Sequence, residues 1–111
     1  MADKQSQARL SGMLGLAMRA GKVTLGTEQI CTALSKKKVN LVLVSSTASD
    51  STKKKLQFKC EYYKTRMIEV NIDTEELGRL LGKTYTPAAV AIADDNFSKA
   101  IEQILNSEES L

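Results

Sequence analysis

Apolar positions along the chain recur at two spacings, and the switches between them mark the elements. Leu10, Met13, Leu14 and Ala17 follow the three-and-four interval of an amphipathic helix, which predicts a helix over Gln7–Ala20 stopped by Gly21. Gly12 and Gly15 inside it each cost about 1 kcal/mol against alanine, so they are read as points where a neighbouring element packs close. Val23 and Leu25 then alternate as in a short strand, and Gly26 allows a tight turn into a second helix that ends in Lys36, Lys37 and Lys38. At about 100° per residue, Ile30, Cys31 and Leu34 share one side of that helix. Glu28, Gln29, Thr32, Ser35 and Lys36 spread over the other side.

Downstream, Val39–Val44 reads VNLVLV, a β-branched run expected to be covered on both faces of a sheet. Ser45, Ser46 and Thr47 follow its end, where open α/β sheets gather ligands; a loop and helix-cap role is the favoured reading for them. Ser49 is the expected cap of a helix over Asp50–Tyr63, with Leu56, Cys60 and Tyr63 inward and Lys53, Lys54, Lys55, Lys59 and Lys64 making it the most basic element. A short strand follows at Arg66–Val70. Asp73 and Glu76 have the spacing of a capping box before Leu77, Leu80 and Leu81, and Gly82 closes that helix. Lys83–Thr86 is a loop, Pro87 marks entry to a strand over Ala88–Ala93, and Asn96 is the expected cap of a last helix with Phe97, Ile101, Ile104 and Leu105 on one face. Residues 106–111 are expected to fray. The order is a helix–strand alternation from helix to helix, which implies one sheet of about four strands with helices on both faces.

Composition narrows the chemistry. The chain has 111 residues, the size of a single domain, with 42% hydrophobic and 26% charged residues. No apolar run is long enough to span a membrane, and the polar start MADKQSQARL is unlike a secretory signal; a cytoplasmic protein is expected. Two cysteines without a CxxC spacing are read as reduced, buried thiols. The absence of histidine removes Cys-His and Ser-His nucleophile pairs and most zinc sites. The net charge of +3 conceals an asymmetry: residues 1–66 hold 13 Lys+Arg against 4 Asp+Glu, whereas residues 67–111 hold 3 against 9. A strongly basic half suggests a polyanionic partner, most often nucleic acid.

Two apparent motifs carry little. Gly82-Lys83-Thr84 looks like the end of a phosphate-binding loop, but that pattern needs a glycine where Leu77 stands and joins a strand to a helix. Asp94 and Asp95 form an acidic pair, yet metal sites recruit more groups than two neighbours, so a helix-start role is expected of them.

The segment AGKVTLGTEQICTALSKKKVNLVLV, followed by ELGRLLGKTYTPAAVAIA, resembles the kink-turn RNA-binding ribosomal-protein family of large-subunit proteins seven-Ae and thirty-e, nearest its small bacterial branch. The resemblance spans roughly Ala8 to Leu105. It implies a three-layer α-β-α sandwich with a four-stranded mixed central sheet. It also implies RNA contacts at the glycine-initiated helix start, here Gly26, Thr27, Glu28, Gln29 and Thr32, and at the loop Lys83, Thr84, Tyr85, Thr86, Pro87 and Ala88. Strict kink-turn readers carry Asn, Glu and Lys where Glu28, Gln29 and Thr32 stand.

The expectation is therefore one RNA-binding domain over residues 1–111, without enzymatic activity. Lys22, Lys36, Lys37, Lys38 and Lys83 would hold phosphates, Thr27–Gln29 would meet base edges, and Tyr85 would supply a stacking ring. No metal or cofactor is implied. The expected partner of the monomer is structured RNA, ribosomal RNA or the ribosome, rather than DNA or a membrane. The alternative is a protein-interaction module whose acidic residues Glu75, Glu76, Asp94 and Asp95 meet a basic partner.

Overall fold

The computed structural model describes residues 4–109, with side chains over 8–106. Its elements are α1 (Lys4–Arg19), β1 (Val23–Leu25), α2 (Thr27–Ser35), β2 (Leu41–Ser45), α3 (Asp50–Tyr62), β3 (Arg66–Val70), α4 (Thr74–Leu80), β4 (Ala89–Ile92) and α5 (Asp95–Glu109). The strands form one mixed sheet in the order β1-β4-β2-β3. β2 and β3 run parallel, and β4 is antiparallel to both β1 and β2.

The pleat divides the core in two. On β2, Leu41 and Leu43 point to one face, where they join Val90, Ile92, Leu10, Leu14, Leu77 and Ile101 under α1, α4 and α5. Val42 and Val44 point to the other face and pack with Ala89, Ala91, Ile30, Leu34, Leu56 and Cys60 under α2 and α3. All five residues of β2 are buried, as its unbroken apolar run requires of a strand covered on both sides.

Most helix ends follow local chemistry. Ser49 Oγ accepts from Thr52 N at 3.2 Å, Asp73 Oδ1 from Glu76 N at 2.7 Å and Asp94 Oδ2 from Phe97 N at 2.8 Å, capping α3, α4 and α5. The cap of α5 is thus Asp94 rather than Asn96, because the helix already begins at Asp95. The four helices α1 to α4 end alike. A residue with positive φ (Gly21, Lys37, Lys64 or Gly82) follows each, and the next N–H reaches back five residues, as from Lys38 to the Ala33 carbonyl at 3.0 Å.

Several expectations are corrected. α2 stops at Ser35, and Lys36–Lys38 form the turn beyond it rather than its last helical residues. Gly12 and Gly15 pack against nothing: a Cβ on either would meet no atom within 4 Å. Cys60 is buried, but Cys31 is only half-buried. α5 continues to Glu109, past the expected end at Leu105, and residues 110 and 111 lie outside the described residues. No helix among the described residues is long and apolar enough to cross a membrane.

Candidate nucleic-acid interface

The strand directions decide which connections meet. β1 ends where β4 begins, since Leu25 stands opposite Val90. β2 also ends there, with Val44 opposite Ala89 and Ser45 N donating to the Ala88 carbonyl at 2.8 Å. β3 is parallel to β2 and ends beside it. One edge of the sheet therefore gathers the Gly26 turn, the Ser45–Ser49 loop, the Asn71–Asp73 connection and the Lys83–Ala88 loop. The glycine-opened helix start and the proline-bordered loop follow and precede the paired ends of the adjacent strands β1 and β4.

At the helix start, Gly26 has φ 93° and ψ 132°, a conformation open to glycine and strained for other residues. The Gln29 side chain folds back over it, with Cδ 3.1 Å from where a Cβ would stand. The Ile30 amide closes the first turn on the Gly26 carbonyl at 2.9 Å. No side chain caps this helix. Among α2 to α5 it alone starts uncapped, so first-turn amides remain free to donate outward. Thr27 is half-buried, and Glu28, Gln29 and Thr32 are exposed. Thr32 Oγ1 donates to the Glu28 carbonyl at 3.1 Å. The Glu28 carboxylate pairs with the Lys55 ammonium of α3, which favours the charged amine and raises the Lys55 pKa.

Gly78, on α4, shapes the loop. A Cβ there would lie 2.5 Å from the Tyr85 carbonyl oxygen and 3.3 Å from Pro87 Cδ, so only a glycine lets the loop backbone lie on this helix. The Lys83 amide donates to the Gly78 carbonyl at 2.8 Å, and Pro87 is buried. This anchoring leaves Thr84 and Thr86 exposed and Tyr85 54% exposed. The sequence reading gave Gly78 no positioning role; its signal was a glycine inside a short, otherwise good helix former.

The serine–threonine cluster is structural. Ser45, fully buried, donates to the Ile72 carbonyl at 2.6 Å, and its Oγ accepts from Thr47 N at 3.2 Å. Thr74 N donates to Thr47 Oγ1 at 3.0 Å. Lys53, whose ammonium reaches the Ser46 carbonyl at 2.7 Å and Glu69 at 3.4 Å, braces the same loop.

Not every expected site residue joins this edge. Lys22 lies at the far end of β1 from Gly26, where its carbonyl accepts from Ala93 N at 2.8 Å. Lys36, Lys37 and Lys38 follow the C-terminal end of α2, next to the Asn40 amide that bonds the Ile92 carbonyl. A nine-residue helix rises about 13 Å, so these four lysines fringe the opposite edge. The acidic set is largely spent within the fold: Glu76 pairs with Arg79, Asp95 with Lys99, and Asp94 caps α5. No cluster of metal-ligating side chains occurs among the described residues.

Comparison with known proteins agrees with this architecture. The family model described as "Ribosomal protein L7Ae/L30e/S12e/Gadd45 family" matches residues 8–102. An RNA-binding protein YlxQ from Enterococcus faecium is 32% identical over 104 residues, 93% of this chain and 97% of that protein. The YlxQ of Bacillus subtilis (strain 168) is 35% identical over 94 residues, 85% of this chain and 92% of that one. A solved protein of unknown function from Bacillus halodurans C superposes with a TM-score of 0.82 at 34% identity, covering 89% of this chain and 98% of its own. With the mixed sheet, the glycine-opened helix and the anchored loop in place, this chain belongs to the ribosomal protein L7Ae/L30e/S12e/Gadd45 family.

Proposed function

We propose that this chain is a non-enzymatic RNA-binding domain that seats a bent, structured RNA between the α2 start and the Lys83–Ala88 loop. The observation that carries the reading is the uncapped α2 N-terminus at the same end of the paired strands β1 and β4 as the exposed tyrosine loop. Free amides and the Gln29 amide suit base edges and phosphate oxygens, and Tyr85 suits an unstacked base. The relatives named RNA-binding and the ribosomal family description support the same partner class. The partner is ribosomal RNA, met in the cytoplasm by a monomer, and the preferred feature is a kink-turn. Glu28 fits this site because Lys55 neutralises it.

The test is titration of the protein into a kink-turn hairpin and into the same hairpin with its sheared G·A pairs replaced by Watson–Crick pairs. The kink-turn form should bind more tightly, and Gln29→Ala or Tyr85→Ala should remove the preference while the protein stays folded. Equal binding of the two hairpins rejects kink-turn recognition, and no binding of either rejects this site.

A further inference from the structure

Helix α3 turns to solvent an aromatic and basic face that the site above does not use. Phe58 and Tyr62 are 65% and 70% exposed. Four residues apart, they stand one above the other on one side of the helix. Leu56 and Cys60 anchor α3 from its other side, so neither ring belongs to the core. Tyr63, packed against the α2–α3 core, meets the Tyr62 ring edge-on with centroids 4.8 Å apart. That contact braces Tyr62 and leaves its exposed surface open.

The charges around the rings have one dominant sign. Lys54 and Lys55 lie one turn before Phe58 on the same face, and Lys59 borders it. Lys54 and Lys59 have no ion-pair partner among the described residues, while Lys55 is shared with Glu28. Glu61, on the flank, is held by Gln57 Nε2 at 3.3 Å. The face also continues the α2 start. From Lys55, which touches Glu28, Phe58 is about 4 Å and Tyr62 about 10 Å farther along the helix.

We propose that the outer face of α3 is a stacking platform for unpaired nucleotides of an RNA strand. Phe58 and Tyr62 take base faces, and Lys54 and Lys59 hold the phosphates. Charge complementarity selects this occupant: a strand offers one anion and one aromatic face per nucleotide, the two chemistries that alternate here. Stacking on ring faces and contact with phosphates do not depend on base identity, so the platform tolerates any sequence. The proposal rests on RNA being the partner and adds a second contact surface to the α2–loop seat.

The chain contains no tryptophan, so Phe58→Trp places a single reporter on the face. Adding a ten-nucleotide oligouridylate should quench that fluorescence and shield it from iodide. Phe58→Ser/Tyr62→Ser should bind oligouridylate about tenfold or more weakly, the loss expected for base–aromatic stacking, while keeping a cooperative thermal melt, lowered only by the lost Tyr62–Tyr63 contact, because both residues are mostly exposed. A Phe58→Trp signal that ignores saturating oligouridylate, or equal affinity of the double variant, overturns the proposal. So does a wild type that self-associates on sedimentation through these rings while oligouridylate binding survives their loss. A kink-turn hairpin without a single-stranded tail separates the two readings. It should respond to Tyr85→Ala and not to the double variant. If wild type ignores the hairpin while oligouridylate still quenches Phe58→Trp, the seat fails and the platform stands. The reverse pattern removes the platform alone.

Discussion

At the residue scale, glycines with the same composition value have opposite meanings. Gly78 is buried with the Tyr85 carbonyl oxygen 2.5 Å from its absent Cβ, whereas Gly12 faces open space. Helix propensity favours alanine at both by about 1 kcal/mol. At Gly12 nothing opposes that gain, so Gly12→Ala should stabilise by up to about 1 kcal/mol in urea unfolding. At Gly78 the obstacle is backbone, so Gly78→Ala should cost about 1–3 kcal/mol through forced displacement. It should also speed amide exchange over Lys83–Ala88, which mass-resolved hydrogen exchange will read. Sequence reasoning assigned close packing to Gly12 and Gly15 and none to Gly78, because propensity alone registers the cost of a helical glycine without the space beside it. The cysteines divide similarly. Burial raises the Cys60 thiol pKa from 9.0 to about 11, with a smaller contribution from nearby Cys31. Between those values the folded chain keeps a proton that the unfolded chain has lost. Stability should therefore fall as pH rises from 9.0 to about 11. Cys60→Ala should make the decline in melting temperature shallower over that range, and an identical decline would reject the assignment.

At the element scale, β2 and β4 were legible because burial on both faces leaves a continuous apolar run, and the caps of α3 and α4 were legible because Ser49 and Asp73 precede their helices at fixed offsets. The end of α2 was harder to read than that of α3, which falls within one residue of the expected Tyr63. Their closing turns use a left-handed residue, the work glycine does at Gly21 and Gly82, but the residues present are Lys37 and Lys64, with φ of 57° and 56°. A lysine gives no signal of a stop, so the α2 reading ran on through the lysines. The same geometry predicts a gain from substitution. A side chain in the left-handed region is strained by roughly 1–2 kcal/mol, partly offset by the entropy glycine loses on folding. Lys64→Gly should raise stability by about 0.5–1 kcal/mol in denaturant unfolding, with no change in helix content by circular dichroism. A loss of stability would mean that the Lys64 side chain contributes more than its backbone costs.

At the scale of the whole molecule, adjacency in sequence and adjacency in space part company. Lys22 stands four residues before Gly26, but β1 lies between them, and three extended residues span about 10 Å. Lys36, Lys37 and Lys38 are separated from the α2 start by the helix itself. The element order was readable from periodicity; the sheet order β1-β4-β2-β3, which decides which loops share an edge, depends on pairings between distant strands and left no local trace. The consequence is measurable through salt. Each phosphate neutralised contributes a slope of about 0.9 on a log–log plot of affinity against salt for duplex DNA, and about 0.7 for single strands. If RNA seats as proposed, a short kink-turn hairpin at the α2–loop end does not reach the opposite edge. Replacing Lys36, Lys37 and Lys38 with glutamine should leave its salt slope unchanged. On an RNA extended by a further helical stem, the same variant should lose slope in proportion to the phosphates that met the lysines. If the triple variant flattens the slope equally for both RNAs, the two edges act as one surface, and the RNA must cross the molecule rather than rest on its glycine-opened end.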